Sequence, residues 1–257
     1  MRGTRPLALL SALAAGAAVL TGAGAGPAAA TPTCTYPAEV LNLSRWKLQL
    51  PLDDPNQSGT QVLQITRPRL STYVINPWFK PNSSCTGVQF RNAVNGVTTP
   101  NTSYARSELR EMESNGTSEI KWSSNSGTHT MVIDQSIDRL PNTKRQLIAG
   151  QIHDGNDRST FRIDGSSLYI TRDNDTRYKL VTSNYVLGTR FQAKFVVSNG
   201  SIKAYYNGVL QTTIPVSFST GYFKAGVYTQ ANCTNSSPCD TSNYGQTTLY
   251  NLTVTHS

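Results

Sequence analysis

What the 257-residue chain lacks narrows the field before any motif is read. After residue 30 no stretch approaches the roughly 20 apolar residues that a membrane-spanning helix needs, so the mature chain is not expected to cross a bilayer. No helical period of useful length follows Leu43, which argues against helix bundles and α/β folds. No lysine-rich or arginine-rich run occurs despite a formal net charge of +8, and this argues against nucleic acid as a partner. Neither the spacing of the 4 cysteines nor the placement of the 3 histidines matches a structural zinc site, so no metal is expected.

The N-terminus reads as an export signal over residues 1–30. Arg2 and Arg5 precede an apolar stretch from Pro6 to about Leu20, and Ala28-Ala29-Ala30 offers a small-residue cleavage site. The arginines are not adjacent, which points to the general secretory route. Their removal leaves 21 basic residues against 15 acidic ones, or +6, a balance suited to an acidic partner or simply to solubility. Residues 31–257 have no internal linker and the length of one all-β domain. A secreted protein acting as a monomer is expected.

All four cysteines lie in the mature part, and an even count in an exported chain predicts two disulfides. Three pairings are possible. The Pro- and Ser-containing turn between Cys233 and Cys239 favours a local loop there, leaving Cys34–Cys85 to pin the N-terminal arm.

A short helix is expected over Pro37–Leu43, and strands follow. Trp46-Lys-Leu-Gln-Leu-Pro51 alternates, and further strands are predicted at Thr128–Ile137, Gln146–His153, Ser159–Asp164, Ser167–Thr171, Arg190–Ser198, Ser201–Tyr206, Gly221–Gln230 and Thr247–Thr255. The segment from Thr66 to Thr102, rich in Pro, Asn, Ser and Gly, reads as loops joining short strands such as Tyr73–Ile75 and Gly87–Phe90. Asn199-Gly200 and Asn207-Gly208 are hairpin signals, because type I′ turns need positive φ at both central residues. Many short strands between turn signals indicate an antiparallel sandwich.

Three strands present polar faces over apolar backs, because successive side chains on a strand point to opposite faces. In Gln151-Ile-His153 the amide and the imidazole share one face while Ile152, with Ile148, goes inward. In Tyr222-Phe-Lys-Ala-Gly-Val-Tyr-Thr-Gln230 one face carries Tyr222, Lys224, Gly226, Tyr228 and Gln230. In Arg106-Ser-Glu-Leu-Arg-Glu-Met112 one face carries Arg106, Glu108 and Arg110. Each group has a bland reading. A strand histidine is more often structural than catalytic, the charged trio suits a solvated ladder, Lys224, Tyr228 and Gln230 suit a polar sheet face, and Tyr222 suits packing. Against this, two arginines around Glu108 leave a planar donor fork for a second carboxylate, with Glu108 as an ionised brace. Gly226 inside a strand marks a bulge or a close approach.

Taken together, Arg-Ser-Glu-Leu-Arg-Glu at 106–111, Gln-Ile-His at 151–153 and Tyr-Phe-Lys-Ala-Gly-Val-Tyr-Thr-Gln at 222–230 resemble the alginate lyases of polysaccharide lyase family seven. Trp46-Lys-Leu-Gln-Leu-Pro51 is similar to the family's first strand, and in order and spacing the four runs span essentially the whole mature chain. The resemblance implies a β-jelly-roll sandwich of two curved antiparallel sheets whose concave face holds an anionic polysaccharide. It also implies a catalytic set of Arg106, Gln151, His153 and Tyr228, with Glu108, Arg110, Lys224 and Gln230 lining the groove, and no cofactor. Val227 stands where other members often carry Asn or Ser, but it faces the core side. In the family, Ile between Gln and His accompanies action on guluronate or mixed links, so Ile152 points that way.

The chemistry implied is β-elimination from a 1,4-linked polyuronate: the C5 proton is removed and the C4 oxygen expelled, without water. The neighbouring carboxylate must be neutralised and the enolate-like species stabilised, for which Arg106 and Gln151 fit. A base and an acid are also needed. Guluronate loses its proton from the side opposite the leaving oxygen, which assigns His153 as the base and Tyr228 as the acid. A phenol beside several cations is expected to have a lowered pKa. A retaining glycosidase would need two carboxylates about 5 Å apart, and no Glu-x-Asp-x-x-Glu strand occurs. A noncatalytic, lectin-like carbohydrate-binding sandwich is the main alternative, but it does not explain why His153 and Tyr228 accompany Arg106.

Overall fold

The computed structural model describes Gly3 and residues 32–100 and 102–257. Apart from Gly3, the export-signal segment lies outside the described residues. Residues 32–257 form two antiparallel sheets, numbered here in chain order. The eight-stranded sheet runs β10 (Asp175–Thr182), β9 (Ser167–Arg172), β8 (Asp157–Asp164), β7 (Gln146–His153), β14 (Tyr222–Thr229), β5 (Arg106–Glu111), β1 (Trp46–Asp53), β2 (Val62–Ile65). The seven-stranded sheet runs β13 (Val209–Pro215), β12 (Ser201–Tyr206), β11 (Arg190–Ser198), β6 (Thr128–Arg139), β15 (Tyr244–His256), β4 (Val88–Ala93), β3 (Phe79–Pro81). These are the two antiparallel sheets of the jelly-roll sandwich that the family resemblance implies.

The period-2 alternation builds the core. Leu48, Leu50, Leu109, Phe161, Phe223 and Val227 of the larger sheet are fully buried, as are Phe90, Met131, Ile133, Phe195 and Leu249 of the smaller one. Each such side chain contributes about 1.5–3 kcal/mol by leaving water, so the apolar backs of β5, β7 and β14 hold their polar faces in place. The hairpins form as predicted, with φ of 49° and 67° at Asn199-Gly200 and 48° and 80° at Asn207-Gly208.

The local reading needs correction at several points. The N-terminal helix is a single 3-10 turn, Pro37–Glu39, after which Leu41 and Leu43 enter the core as irregular chain. Tyr73–Ile75 is not a strand; Ile75 makes one isolated bridge to Phe79. Two of the strands absent from the prediction, β10 and β13, are sheet edges whose residues are mostly exposed, so they carry no apolar alternation to read. Ile148 does not face inward. Gly150, at φ +115°, shifts the register between Ile148 and Gln151, so Leu147, Ala149 and Ile152 fill the core while Ile148 lines the groove. Such a bulge reverses the parity of everything before it.

Both disulfides form in the favoured pairing, Cys34–Cys85 with Cα atoms 5.7 Å apart and Cys233–Cys239 at 4.8 Å.

A buried polar cluster ties the two sheets together. Glu111, on the core side of β5, accepts hydrogen bonds from the Trp122 indole N–H at 3.1 Å and the Phe223 amide at 3.0 Å. Its Oε1 lies 2.6 Å from His256 Nε2, and His256 Nδ1 lies 2.8 Å from His129 Nδ1. His129 Nε2 faces the carbonyls of Ser126 and Ser123 at 2.9 and 3.1 Å. Carboxylate and carbonyl oxygens accept only, so this chain requires three N–H hydrogens on two imidazoles. Burial, the largest influence on His129, lowers its pKa. Of the two rings His129 is therefore the one less suited to carry a second proton.

Candidate active site

The strands carrying the three motifs lie side by side in the order β7, β14, β5. Their register sets Tyr222 opposite His153, Lys224 between Gln151 and Arg110, and Tyr228 opposite Arg106. Gly226 sits at φ +137°, and a Cβ there would come within 2.6 Å of the Ser107 carbonyl oxygen. The close approach is thus from the neighbouring strand β5, and it lets β14 bulge between Lys224 and Tyr228.

The polar face of this sheet forms a groove in two halves. One, of about 560 Å³, is lined by residues including His153, Asp157, Arg162, Tyr228 and Gln230. The other, of about 450 Å³, is lined by residues including Lys47, Arg110, Tyr222 and Lys224. Arg106 and His153 line both, so the halves meet over those two side chains.

Beneath the groove lies a network centred on Glu108. It is fully buried; its Oε1 accepts from Gln151 Nε2 at 2.6 Å, and its Oε2 lies 2.6 Å from Lys224 Nζ and 3.7 Å from Arg106. Of the two roles expected of Glu108, lining and bracing, its burial supports bracing. The partner set differs from the expectation: Lys224, not Arg110, is the second cation on Glu108. Arg110 instead pairs with Glu119 at 3.0 Å and stacks 4.0 Å over the Tyr222 ring. The brace also orients Gln151, because a carboxylate can only accept and so draws the amide nitrogen towards itself. Burial pushes Lys224 down to about 8 against the opposing pull of Glu108.

Tyr228 lies under Arg106, whose guanidinium carbon is 4.0 Å from the ring centroid. The expectation of a lowered phenol pKa is corrected: burial outweighs the arginine and raises it. Desolvation disfavours the phenolate more than one stacked cation favours it, so Tyr228 keeps its proton and suits an acid. Gln230 is held by Arg162, whose other nitrogen reaches Gln146.

His153 is neutral, its pKa pushed down to about 4 by burial first and by Lys224 second. Its tautomer follows from its neighbours. The Gly155 amide N–H donates to Nδ1 at 2.9 Å, and the Tyr222 hydroxyl lies 2.8 Å from the same atom. A backbone N–H can only donate, so Nδ1 carries the lone pair and Nε2 the hydrogen, directed to the side of Asp157 Oδ1 at 3.4 Å. The expected role of His153 as base carries a condition: the Tyr222 hydroxyl and the Gly155 amide must yield the Nδ1 lone pair when substrate enters, a rearrangement common to catalytic hydrogen bonds between free and bound enzyme.

Asp157, Arg162, Glu119 and Lys47 were not among the sequence candidates. Asp157 had a readable signal, since it lies four residues after His153 across a short turn and pairs with it in register. The other three had none: Lys47 and Arg162 come near only through strand order, and Glu119 reaches Arg110 from an isolated bridge to Met112 outside the named strands. Among the described residues no group of three His, Cys, Asp or Glu side chains is placed to hold a metal.

Comparisons with known proteins follow the same pattern. Residues 41–256 match the family model described as alginate lyase. No curated protein matches the chain. Among solved structures, the alginate lyase from Corynebacterium sp. is 56% identical, superposes with a TM-score of 0.84, and is matched over 87% of this chain and 99% of its own. AlgAT5, an alginate lyase of polysaccharide lyase family 7, is 42% identical with a TM-score of 0.81, over 86% of this chain and 99% of its own. A family 7 alginate lyase, A1-II′, solved with the substrate GGMG, is 25% identical with a TM-score of 0.70, over 88% and 98%. With the four motifs on one sheet and a family match over nearly the whole described domain, the chain belongs to the alginate lyases of polysaccharide lyase family 7.

Proposed function

We propose that this protein is a secreted, monomeric alginate lyase that cleaves 1,4-linked polyuronate by β-elimination and releases oligosaccharides with a C4–C5 double bond. The observation that carries the reading is the convergence of Arg106, His153 and Tyr228 where the two halves of the groove meet. Residues 1–30 serve as the export signal, and two disulfides suit an oxidising compartment.

Arg106, and Gln151 through the amide hydrogen that Glu108 leaves free, are the donors that take up the uronate carboxylate's charge, while the Nε2–H of His153 stays on the side of Asp157. Neutralising that charge lets the C5 proton pass to the Nδ1 lone pair of neutral His153, with Asp157 balancing the imidazolium, because the electron pair then spreads onto the carboxylate oxygens before the C4–O bond breaks. Tyr228 protonates the departing C4 oxygen. Glu108 and Lys224 hold Gln151 and Arg106 beneath the substrate, while Arg110 and Gln230 line the two halves of the groove. Ile152 supports a preference for guluronate-containing blocks. It is fully buried, so it acts by setting how far Gln151 and His153 project.

A lectin-like module would bind alginate and leave it intact. Incubation of the secreted protein with alginate, followed by ultraviolet absorbance of the products, separates the two: a rising signal from unsaturated ends is expected. Saturated fragments would mean that water was the attacking species.

A further inference from the structure

The geometry points to Glu119 as an internal placeholder for substrate: in the free protein its carboxylate occupies a site between Lys47 and Arg110 that takes the carboxylate of a uronate beside the one being cleaved. The inference rests on the lyase reading above and gives one half of the groove a carboxylate-exchange site.

Lys47 on β1 and Arg110 on β5 stand directly opposite each other in register, and Arg110 is in turn opposite Lys224 on β14. Like charges facing each other across strands destabilise a sheet, so this row of cations needs anions. Lys224 has the buried Glu108 at 2.6 Å. Lys47 and Arg110 share Glu119, whose Oε1 lies 2.8 Å from Lys47 Nζ and whose Oε2 lies 3.0 Å from Arg110. The two anions differ in their access to water. Glu108 is sealed beneath the groove, whereas the Glu119 side chain is 49% exposed, over cations only 14% and 9% exposed.

An ion pair with one partner half in water is weak, so the Glu119 side chain can swing away. Its backbone stays, bridged to Met112 and followed by the buried Ile120 and Trp122. The two cations are too deep to be left without an anion, so Glu119 leaves only as another carboxylate arrives. The hydrogen bond from Lys47, first among the influences on it, holds the Glu119 carboxyl below its ordinary pKa, so the placeholder is itself an anion at neutral pH.

The arriving group has the same chemistry. Every residue of a polyuronate carries a carboxylate, and this half of the groove adjoins Arg106 and His153, over which the reacting sugar sits. A chain laid across them brings a neighbouring carboxylate to Lys47 and Arg110, where it accepts the same charge-assisted hydrogen bonds. The exchange breaks as many ion pairs as it makes, so Glu119 subtracts from affinity. In return it turns away sugars that carry no carboxylate to offer, and anions that make no further contact with the groove.

The test compares wild type, Glu119→Gln, Glu119→Ala, Lys47→Met and the combination of Lys47→Met with Glu119→Gln. The readouts are KM for the release of unsaturated ends and, independently of turnover, retardation in native gels cast with and without alginate. Removing the Glu119 charge is expected to lower KM and to strengthen retardation by about two-fold to five-fold, and Lys47→Met to cancel most of that gain when the two are combined. Asp240→Asn makes the same change in net charge at an exposed carboxylate outside both halves of the groove, and is expected to bind as wild type does. Unchanged or weaker binding in Glu119→Gln and Glu119→Ala would overturn the proposal, because a fixed brace behaves that way. An equal gain in Asp240→Asn would overturn it too, since the effect would then belong to net charge. Wild type that is retarded by alginate yet releases no unsaturated ends would instead overturn the lyase reading, with the gels still reporting on Glu119.

Discussion

At the scale of single residues, the site combines a neutral histidine, a protonated phenol and a buried lysine, and each protonation state has a nameable cause. His153 is held near 4 by burial, against about 6.5 in the unfolded chain. Between those values the unfolded chain binds a proton that the folded one refuses, so the stabilisation from neutral His153 is complete above about 6.5 and lost as the pH falls towards 4. Activity that needs its lone pair is expected to persist through pH 5 and to fall on approaching 4, as a kcat/KM profile would show; an acid limb centred near 6.5 would count against the assigned environment. On the alkaline side, Lys224 loses its charge near 8 and leaves Glu108 with fewer cations, so a decline in kcat/KM above that pH is expected. Tyr228→Phe should lower kcat by about 10²-fold to 10⁴-fold with the fold intact, whereas Arg106→Ala should in addition weaken retention of the polyanion. Near-native turnover in Tyr228→Phe would remove the phenol from the chemistry.

At the scale of elements, two glycine bulges decide which side chains meet. Gly226→Ala forces a Cβ to within 2.6 Å of backbone on β5 and a side chain onto φ +137°. Such strain costs about 1–3 kcal/mol, so a lower denaturation midpoint is expected together with reduced turnover, since Tyr228 is placed by the same bulge. A variant of native stability would show that the approach relaxes freely. These bulges also mark where the sequence was legible. Alternation on β5, β7 and β14 gave the groove faces of Arg106, Gln151, His153 and Tyr228 directly, because one face of each strand had to enter a core. Parity across a bulge was not legible, so Ile148 was placed on the wrong side of β7. Edge strands β10 and β13 bury too little to leave a pattern, and the Arg110–Glu119 pair, for which Glu108 had been the expected partner, depends on side-chain reach that strand register does not encode. The hydrogen bond between Tyr222 and His153 escaped for a related reason: a tyrosine on a strand face reads as packing until the neighbouring strand sets His153 opposite it.

At the scale of the whole molecule, the sandwich is fastened at two kinds of point. Cys34–Cys85 closes the longer loop, 51 residues against 6 for Cys233–Cys239, and each bridge is expected to add about 2–4 kcal/mol, more for the longer one where chain entropy dominates. Reduction should therefore lower the thermal midpoint, and Cys34→Ser with Cys85→Ser more than the second pair. The Glu111–His256–His129 chain fastens the catalytic sheet to the other one. Because the folded-state pKa of His129 is lowered, its contribution is complete above its unfolded value and lost on acidification. His256→Ala leaves Oε1 of the buried Glu111 without its hydrogen-bond donor, and about 1–3 kcal/mol is the usual loss when a buried polar group is left unsatisfied. The drop in denaturation midpoint should be large at pH 7. A His256→Ala protein as stable as wild type would show that the cluster fastens nothing.

The claim on which all three scales depend is that this groove performs elimination. Its most direct measurement is the ultraviolet absorbance of alginate incubated with the disulfide-intact protein, followed from the first turnover and compared on polyguluronate and polymannuronate blocks. The account predicts unsaturated ends appearing with every chain scission, and faster on polyguluronate. Chain scission without absorbance would contradict elimination itself, and faster scission of polymannuronate would contradict the assignment of guluronate.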